Sequence, residues 1–307
     1  MLFYQELVPT RMKFLVTGGA GFIGSHLVDK LLGEGYDVKV IDNESASEND
    51  FFYWNEKADN YCYDISNYNK IEKLFKDIDC VFHLAAESRI QTAIKNPAKT
   101  FRVNFKGTLN ILNACKKYNV NRIIYSSTSS IYGLKNIPPL KENMARNCLN
   151  PYSSSKVAGE DLVKIFSMLY NLKSIILRYF NVYGERQPTK GQYAPVVGLF
   201  QKMKKDGKPM TVVGDGKARR DYTHVEDVVN ANILAAMKKD LLKTETINIG
   251  TGTNYSVLEL VDMIGGDYVH IPPRLGEAKE TLADISKAKK YLDWEPSIFL
   301  ENWIKNK

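Results

Sequence analysis

The chain has 307 residues, 44% of them apolar, which is enough to bury one large core or two modest ones. Its longest apolar runs are only a few residues, far short of the roughly 20 that a membrane helix needs, so a helical membrane protein is excluded. The formal net charge of +7 could signal nucleic acid. However, the lysines fall in scattered pairs at 116–117, 204–205, 238–239 and 289–290, and a small anionic ligand is the better match.

Cys62, Cys80, Cys115 and Cys148 show no paired spacing and the histidines no cluster, so neither a disulfide framework nor a metal site is expected. The opening MLFYQELVPTRM has acids and a proline but no export-signal pattern. A cytoplasmic location is expected, with Met12 as an alternative start.

From residue 13 onward short β-rich runs alternate with amphipathic helical patterns. The strands read as 13–17 (KFLVT), 36–42 (YDVKVID), 80–85 (CVFHLA), 122–127 (RIIYSS) and 173–179 (KSIILRY). The helices read as 23–32, 100–118 and a segment entered through Pro151. Such alternation implies βαβ units and a parallel sheet covered on both faces, a Rossmann-type doubly wound α/β fold. After about residue 180 the rhythm changes to polar, glycine-rich loops at 184–195 and 214–221, although 225–237 and 246–250 again suit a helix and a strand of the main sheet. The expected organisation is a dinucleotide-binding domain from 1–181 and 221–254, with a smaller, discontinuous α/β lobe from 182–220 and 255–307.

FLVTGGAGFIGSH (14–26) puts Gly18, Gly21 and Gly24 directly after a strand and at a helix start. Glycines there allow a tight turn, close approach of backbone N–H groups to a pyrophosphate, and close helix–strand packing. Asp42 closes the second strand 18 residues after Gly24, a fitting place for an acid that bonds ribose hydroxyls. Its charge would repel a 2′-phosphate, so NAD is expected rather than NADP. Candidate cofactor contacts in these segments are Gly18, Gly21, Phe22, Ile23, Gly24, Asp42 and Asn43, with Asp64 and Ile65 at the adenine edge.

NPYSSSKVAGEDLVKIF (150–166) carries Tyr152 and Lys156 four residues apart, which stacks them on one helical face. A free tyrosine, with a pKa near 10, is ionised in only about one molecule in a thousand at pH 7 and is a poor base. A cation about 4 Å away at an effective dielectric near 20 contributes on the order of 4 kcal/mol, or roughly 3 pKa units, before desolvation opposes it. Lys156 and an oxidised nicotinamide are the expected cations, and a phenolate beside NAD can take the proton of a secondary alcohol as hydride leaves its carbon.

Together TGGAGFIG, HLAAES (83–88), SSTSSIYG (126–133), YSSSK (152–156) and RYFNVYGERQ (178–187) resemble the extended short-chain dehydrogenase/reductases. More narrowly, the chain resembles the NAD-dependent sugar-nucleotide epimerase/dehydratase family from about 13 to 300, closest to its UDP-hexose and UDP-N-acetylhexosamine 4-epimerases. The resemblance implies that Thr128 shares the substrate alcohol with Tyr152. It also implies cofactor contacts from Leu84, Ala85, Ala86, Asn104, Tyr152, Lys156 and Tyr179. Family 4,6-dehydratases carry Asp-Glu after the catalytic Thr, and sugar-acid decarboxylases a Glu at the second position. Here Ser129 and Ser130 stand there, which leaves 4-epimerisation through a transient 4-keto sugar.

The implied substrate is a UDP-sugar, with UDP-glucuronate or another nucleotide sugar, or reduction of a 4-keto sugar, as the alternative. Its expected contacts are Ser88, Thr128, Asn181, Tyr193, Ala194, Val213, Arg220, Arg274, Glu277 and Thr281. Arg220 and Arg274 match diphosphate-binding arginines, while Glu277 stands where many relatives have Asp. A small Thr281 suggests room for an N-acetyl group. Resemblance further implies a homodimer through the helices near 100–118 and 151–171, with no nucleic-acid or membrane partner.

Overall fold

A computed structural model describes residues 11–46, 49–191, 194–241 and 243–307. Its main sheet has seven parallel strands, six of them β1 (Lys13–Thr17), β2 (Asp37–Asp42), β3 (Asp59–Cys62), β4 (Cys80–His83), β5 (Arg122–Thr128) and β6 (Lys173–Tyr179). The seventh is Glu245–Ile249, and the order across the sheet is Glu245–Ile249, β6, β5, β4, β1, β2, β3. All the pairings are parallel, as the sequence alternation suggests.

Side chains of a strand point alternately to its two faces. In β1, Phe14 and Val16 join Leu27, Val28 and Leu31 of helix α1 (Phe22–Gly33), together with Val228 and Trp294. Leu15 points the other way, into a layer with Val81, Ile111, Leu112 and Val163. Both faces are therefore buried, which the near-continuous apolar runs require. Each fully buried Leu, Ile or Phe contributes about 1.5–3 kcal/mol from water exclusion.

β1 lies between β2 and β4, so the chain leaves it toward one edge and returns toward the other. A crevice opens at the carboxyl ends of the strands where such an order reverses.

Two elements differ from the sequence reading. β3, DNYC, was absent from the apolar runs because it is an edge strand with partly or fully exposed residues. The helix expected at 100–118 is three joined pieces: Pro97–Phe101, a π-helical stretch Arg102–Gly107, and Thr108–Lys117. π turns widen a helix and often serve a site. Here the wide turn carries Asn104, and a Cβ on Gly107 would meet Ile65 Cδ1 at 2.6 Å.

Beyond β6 the chain makes three two-stranded sheets. Val182–Tyr183 pairs with Thr223–His224, Arg219–Asp221 with Asn254–Ser256, and Met210–Val213 with Tyr268–Ile271. Tyr183, Val197, Phe200, Val212, Leu260 and Ile264 form a separate core there. Among the described residues, no helix is long and apolar enough to cross a membrane.

Candidate active site

A cavity of about 520 Å³ runs from the carboxyl ends of β1 and β2 into the region of the small sheets. At its first end, Gly18 adopts φ +73°, and a Cβ on it would fall 2.8 Å from the Ala85 backbone nitrogen. A Cβ on Gly24 would come within 2.1 Å of the Gly18 carbonyl oxygen. Only glycine lets α1 pack this closely on the loop. No side chain caps the α1 N-terminus, and Gly21, Phe22, Ile23 and Gly24 line the cavity, which leaves a positive helix end for an anion.

Asp42 ends β2 at the same place and also lines the cavity. Its Oδ2 accepts from the Ala20 N–H at 3.1 Å and its Oδ1 from the Glu44 N–H at 2.8 Å. Burial nevertheless pushes its carboxyl above the usual aspartate value, opposed by those backbone donors. Hydroxyl donors would lower the cost of that charge. Loop, helix end and acid together fit a dinucleotide.

At the middle of the cavity, β5 delivers Ser126, Ser127 and Thr128. Facing them is the helix Pro151–Tyr170, entered through Pro151 and capped by Asn150, whose Oδ1 accepts from the Ser153 N–H at 2.8 Å. Asn150 also donates to the Gly276 carbonyl at 2.8 Å, tying the helix start to the loop that carries Arg274 and Glu277. The phenol of Tyr152 lines the cavity with Thr128, which lowers its pKa and whose own oxygen accepts from the Ser130 N–H at 3.1 Å.

The electrostatics depart from the sequence argument. Burial holds the Tyr152 phenol above its ordinary value, and the groups that oppose this are the Thr128 hydrogen bond and the Arg89 guanidinium. Lys156 is not among them. Its Nζ lies over the Tyr125 ring, 4.3 Å from the centroid, and burial lowers its own pKa to about 7. Burial thus dominates at the phenol, and a cationic ligand beside Tyr152 would oppose it.

Most expected site residues line this one cavity. Asp64 and Ile65 follow β3, Leu84, Ala85, Ala86 and Ser88 follow β4, and Asn43 follows β2. Tyr179 lines it from β6, its hydroxyl bonded to Ser126 and Asn232. At the far end stand Asn181, Ala194, Val213, Arg220, Arg274, Glu277 and Thr281. Arg220 and Arg274 both approach Glu277, at 3.7 Å and 4.0 Å. Thr281 is buried, and its hydroxyl lies 3.4 Å from Asn181 Oδ1.

Asn104, expected at the cofactor, does not line the cavity, and its side chain bonds within the protein. Its Oδ1 accepts from the Glu87 N–H at 2.8 Å, and its amide donates to the Glu87 carbonyl at 3.0 Å and to Ser155 Oγ at 2.9 Å. Every polar atom of the side chain is used to clamp the β4 loop to the Pro151–Tyr170 helix. Tyr193 lies outside the described residues. Sequence reading missed Arg89, which lines the cavity one residue beyond HLAAES, and Phe200, which carries no signal except its place on an amphipathic helix.

Residues 14–250 match the model of the NAD dependent epimerase/dehydratase family. A putative UDP-glucose 4-epimerase of Methanocaldococcus jannaschii is 41% identical, over 95% of this chain and 98% of that protein. Among solved structures, the UDP-glucose 4-epimerase of Thermotoga maritima with UDP-glucose is 38% identical, with a TM-score of 0.90 over 96% of each chain. The UDP-N-acetylglucosamine 4-epimerase of Methanobrevibacter ruminantium M1, in complex with UDP-N-acetylmuramic acid, is 32% identical, with a TM-score of 0.89 over 96% of each chain. The chain belongs to the NAD-dependent epimerase/dehydratase family.

Proposed function

We propose that the protein is an NAD-dependent UDP-sugar 4-epimerase that interconverts UDP-glucose and UDP-galactose and also accepts the N-acetylated pair. The observation that carries this reading is that Tyr152 and Thr128 line one cavity, with Lys156 one turn along the helix from Tyr152. They share that cavity with the glycine loop, Asp42 and the arginines Arg220 and Arg274. In this reading residues 1–181 and 221–254 bind the cofactor, and 182–220 and 255–307 form the sugar-nucleotide lobe.

Tyr152 takes the proton of the sugar O4, while the Thr128 hydroxyl holds the same oxygen. NAD, which the glycine loop and Asp42 would hold, would supply an acceptor and donor of hydride at C4. Between the two transfers the 4-keto sugar must turn over while its nucleotide stays anchored. Arg220 and Arg274 suit that anchoring, because guanidinium forks bind phosphate oxygens in pairs. Glu277 offsets part of their charge in the free protein. Ser129 and Ser130 offer hydroxyls where elimination of water would need a carboxylic acid and a base, which favours epimerisation.

Thr281, small and beside Asn181, supports room for the N-acetyl group. A second reading, a hexuronate substrate, is favoured by one feature. Arg89 acts on Tyr152 electrostatically, and a carboxylate at C6 lies two carbons from the carbon that bears O4. NMR of the purified protein with UDP-glucose, UDP-N-acetylglucosamine and UDP-glucuronate separates the cases. The first two should each yield the 4-epimer; conversion of UDP-glucuronate alone installs the second reading, and conversion of none defeats both.

The same reading includes a homodimer. It is supported by Phe101 and Phe105 on one long helical segment and Ile165, Met168 and Leu169 on the other, all exposed. Sedimentation of a monomer at micromolar concentration would reject it.

A further inference from the structure

Lys156 is buried, and a buried ammonium is costly unless something offsets its charge. The acid on its own helical face, Glu160, is engaged elsewhere: its ion pairs go to Arg178 at 2.8 Å, Arg146 at 3.7 Å and Lys164 at 4.0 Å. Tyr152, one turn earlier, is a neutral phenol in the free protein. His83 of β4 is uncharged as well. The Thr108 hydroxyl donates its one hydrogen to the Asn104 carbonyl at 2.6 Å, so it can only accept from His83 Nε2, 2.9 Å away, and His83 Nδ1 then accepts from the Thr17 hydroxyl at 2.7 Å. Burial and Lys156 hold that imidazole neutral, with a pKa of about 3.

What the ammonium does meet is the Tyr125 ring. Its Nζ stands over that ring 4.3 Å from the centroid, well inside the roughly 6 Å within which the negative face of an aromatic ring attracts a cation, and the attraction is stronger where water is excluded. The ring is held for this contact. Tyr125 is fully buried in β5, and its hydroxyl donates to the backbone carbonyl of Lys156 itself at 3.3 Å. Gly159, three residues beyond Lys156 and on the same helical face, brings the helix down onto the phenol, since a Cβ there would fall 2.1 Å from the hydroxyl oxygen and 2.7 Å from Cζ. Burial pushes the phenol well above its ordinary value, so the ring stays uncharged. Tyr125 does not line the cavity and meets neither substrate nor cofactor.

We propose that Tyr125 is a positioning residue for the reaction: its ring, seated against the Pro151–Tyr170 helix at Gly159, holds the Lys156 ammonium by cation–π attraction. The proposal rests on the reading of Tyr152 and Lys156 as the reacting pair. A weaker ring face makes the charged form of Lys156 less favourable and leaves the packing as it is.

The test replaces Tyr125 in the full-length protein by phenylalanine (Tyr125→Phe) and, through an expanded genetic code, by difluoro- and pentafluorophenylalanine. These rings are of nearly equal size, while fluorine withdraws the negative charge of the ring face step by step, so a role in packing alone predicts equal behaviour. NMR of protein labelled with 15N-lysine follows the Lys156 ammonium. Its titration should move to lower pH from Tyr125→Phe through the difluoro to the pentafluoro ring, by about one pH unit over the series, and the alkaline limb of kcat/KM should move down with it. Where the pentafluoro protein does not fold, the difluoro protein against Tyr125→Phe decides, with about half that shift. Equal titration across the folded members overturns the proposal. Wild-type protein without UDP-sugar turnover defeats the functional reading, yet the titration still decides whether the ring holds the ammonium.

Discussion

Tyr152 is the residue on which the chemistry turns, and in the free protein it is a neutral phenol held so by burial. Replacing it with Phe removes the proton acceptor and keeps the ring, so kcat should fall about 10²–10⁴-fold with the fold unchanged; a variant within a few-fold of wild type would show the base to be elsewhere. Lys156 gives a prediction with a definite sign. Its folded pKa is about 7 against an ordinary 10.5. Below pH 7 both folded and unfolded chains carry the ammonium, and the folded state bears the whole cost of burying it. Between pH 7 and 10.5 the unfolded chain keeps a proton that the folded one has released, so stability rises with pH. Lys156→Met should therefore stabilise the protein at pH 6 by up to roughly 4 kcal/mol more than at pH 10. Urea unfolding at the two pH values measures the difference, and an equal effect at both would contradict it.

At the scale of elements, the turn from β1 into α1 is fixed by close approach more than by helix propensity. Gly24→Ala should improve α1 by about 1 kcal/mol on propensity alone. The added Cβ would sit 2.1 Å from the Gly18 carbonyl, a backbone atom that cannot swing aside. The expected net result is a lower thermal midpoint and at least tenfold weaker NAD binding by calorimetry; unchanged values for both would mean that the loop does not hold the cofactor.

β1, β6 and the helix Val225–Met237 match the sequence reading residue for residue, because each is a continuous apolar or strongly periodic run. The cavity residues in HLAAES were legible through the family resemblance, whereas Asp42 was legible because it ends a recognisable strand. β3 was not, since DNYC has neither alternation nor a run of apolar residues. The π turn was not either. Its width depends on contacts between Asn104, Glu87 and Ser155, and between Gly107 and Ile65, that exist only after folding. The bonds of Asn104 to Glu87 and Ser155 were not legible either, because a position in a motif does not say which neighbours an amide meets.

Across the whole molecule, the account requires one cavity to hold a dinucleotide at the sheet and a diphosphate at Arg220 and Arg274 while a sugar turns over between them. Charge fits this division. The glycine loop and α1 end offer N–H groups, Asp42 suits hydroxyls, and the far end gathers guanidinium groups with Glu277 as their temporary partner. The claim that hydride leaves the sugar and comes back to the same carbon is tested by UDP-glucose deuterated at C4. The UDP-galactose formed in ordinary water should retain the deuterium at C4. Product carrying solvent hydrogen at that carbon would contradict the account.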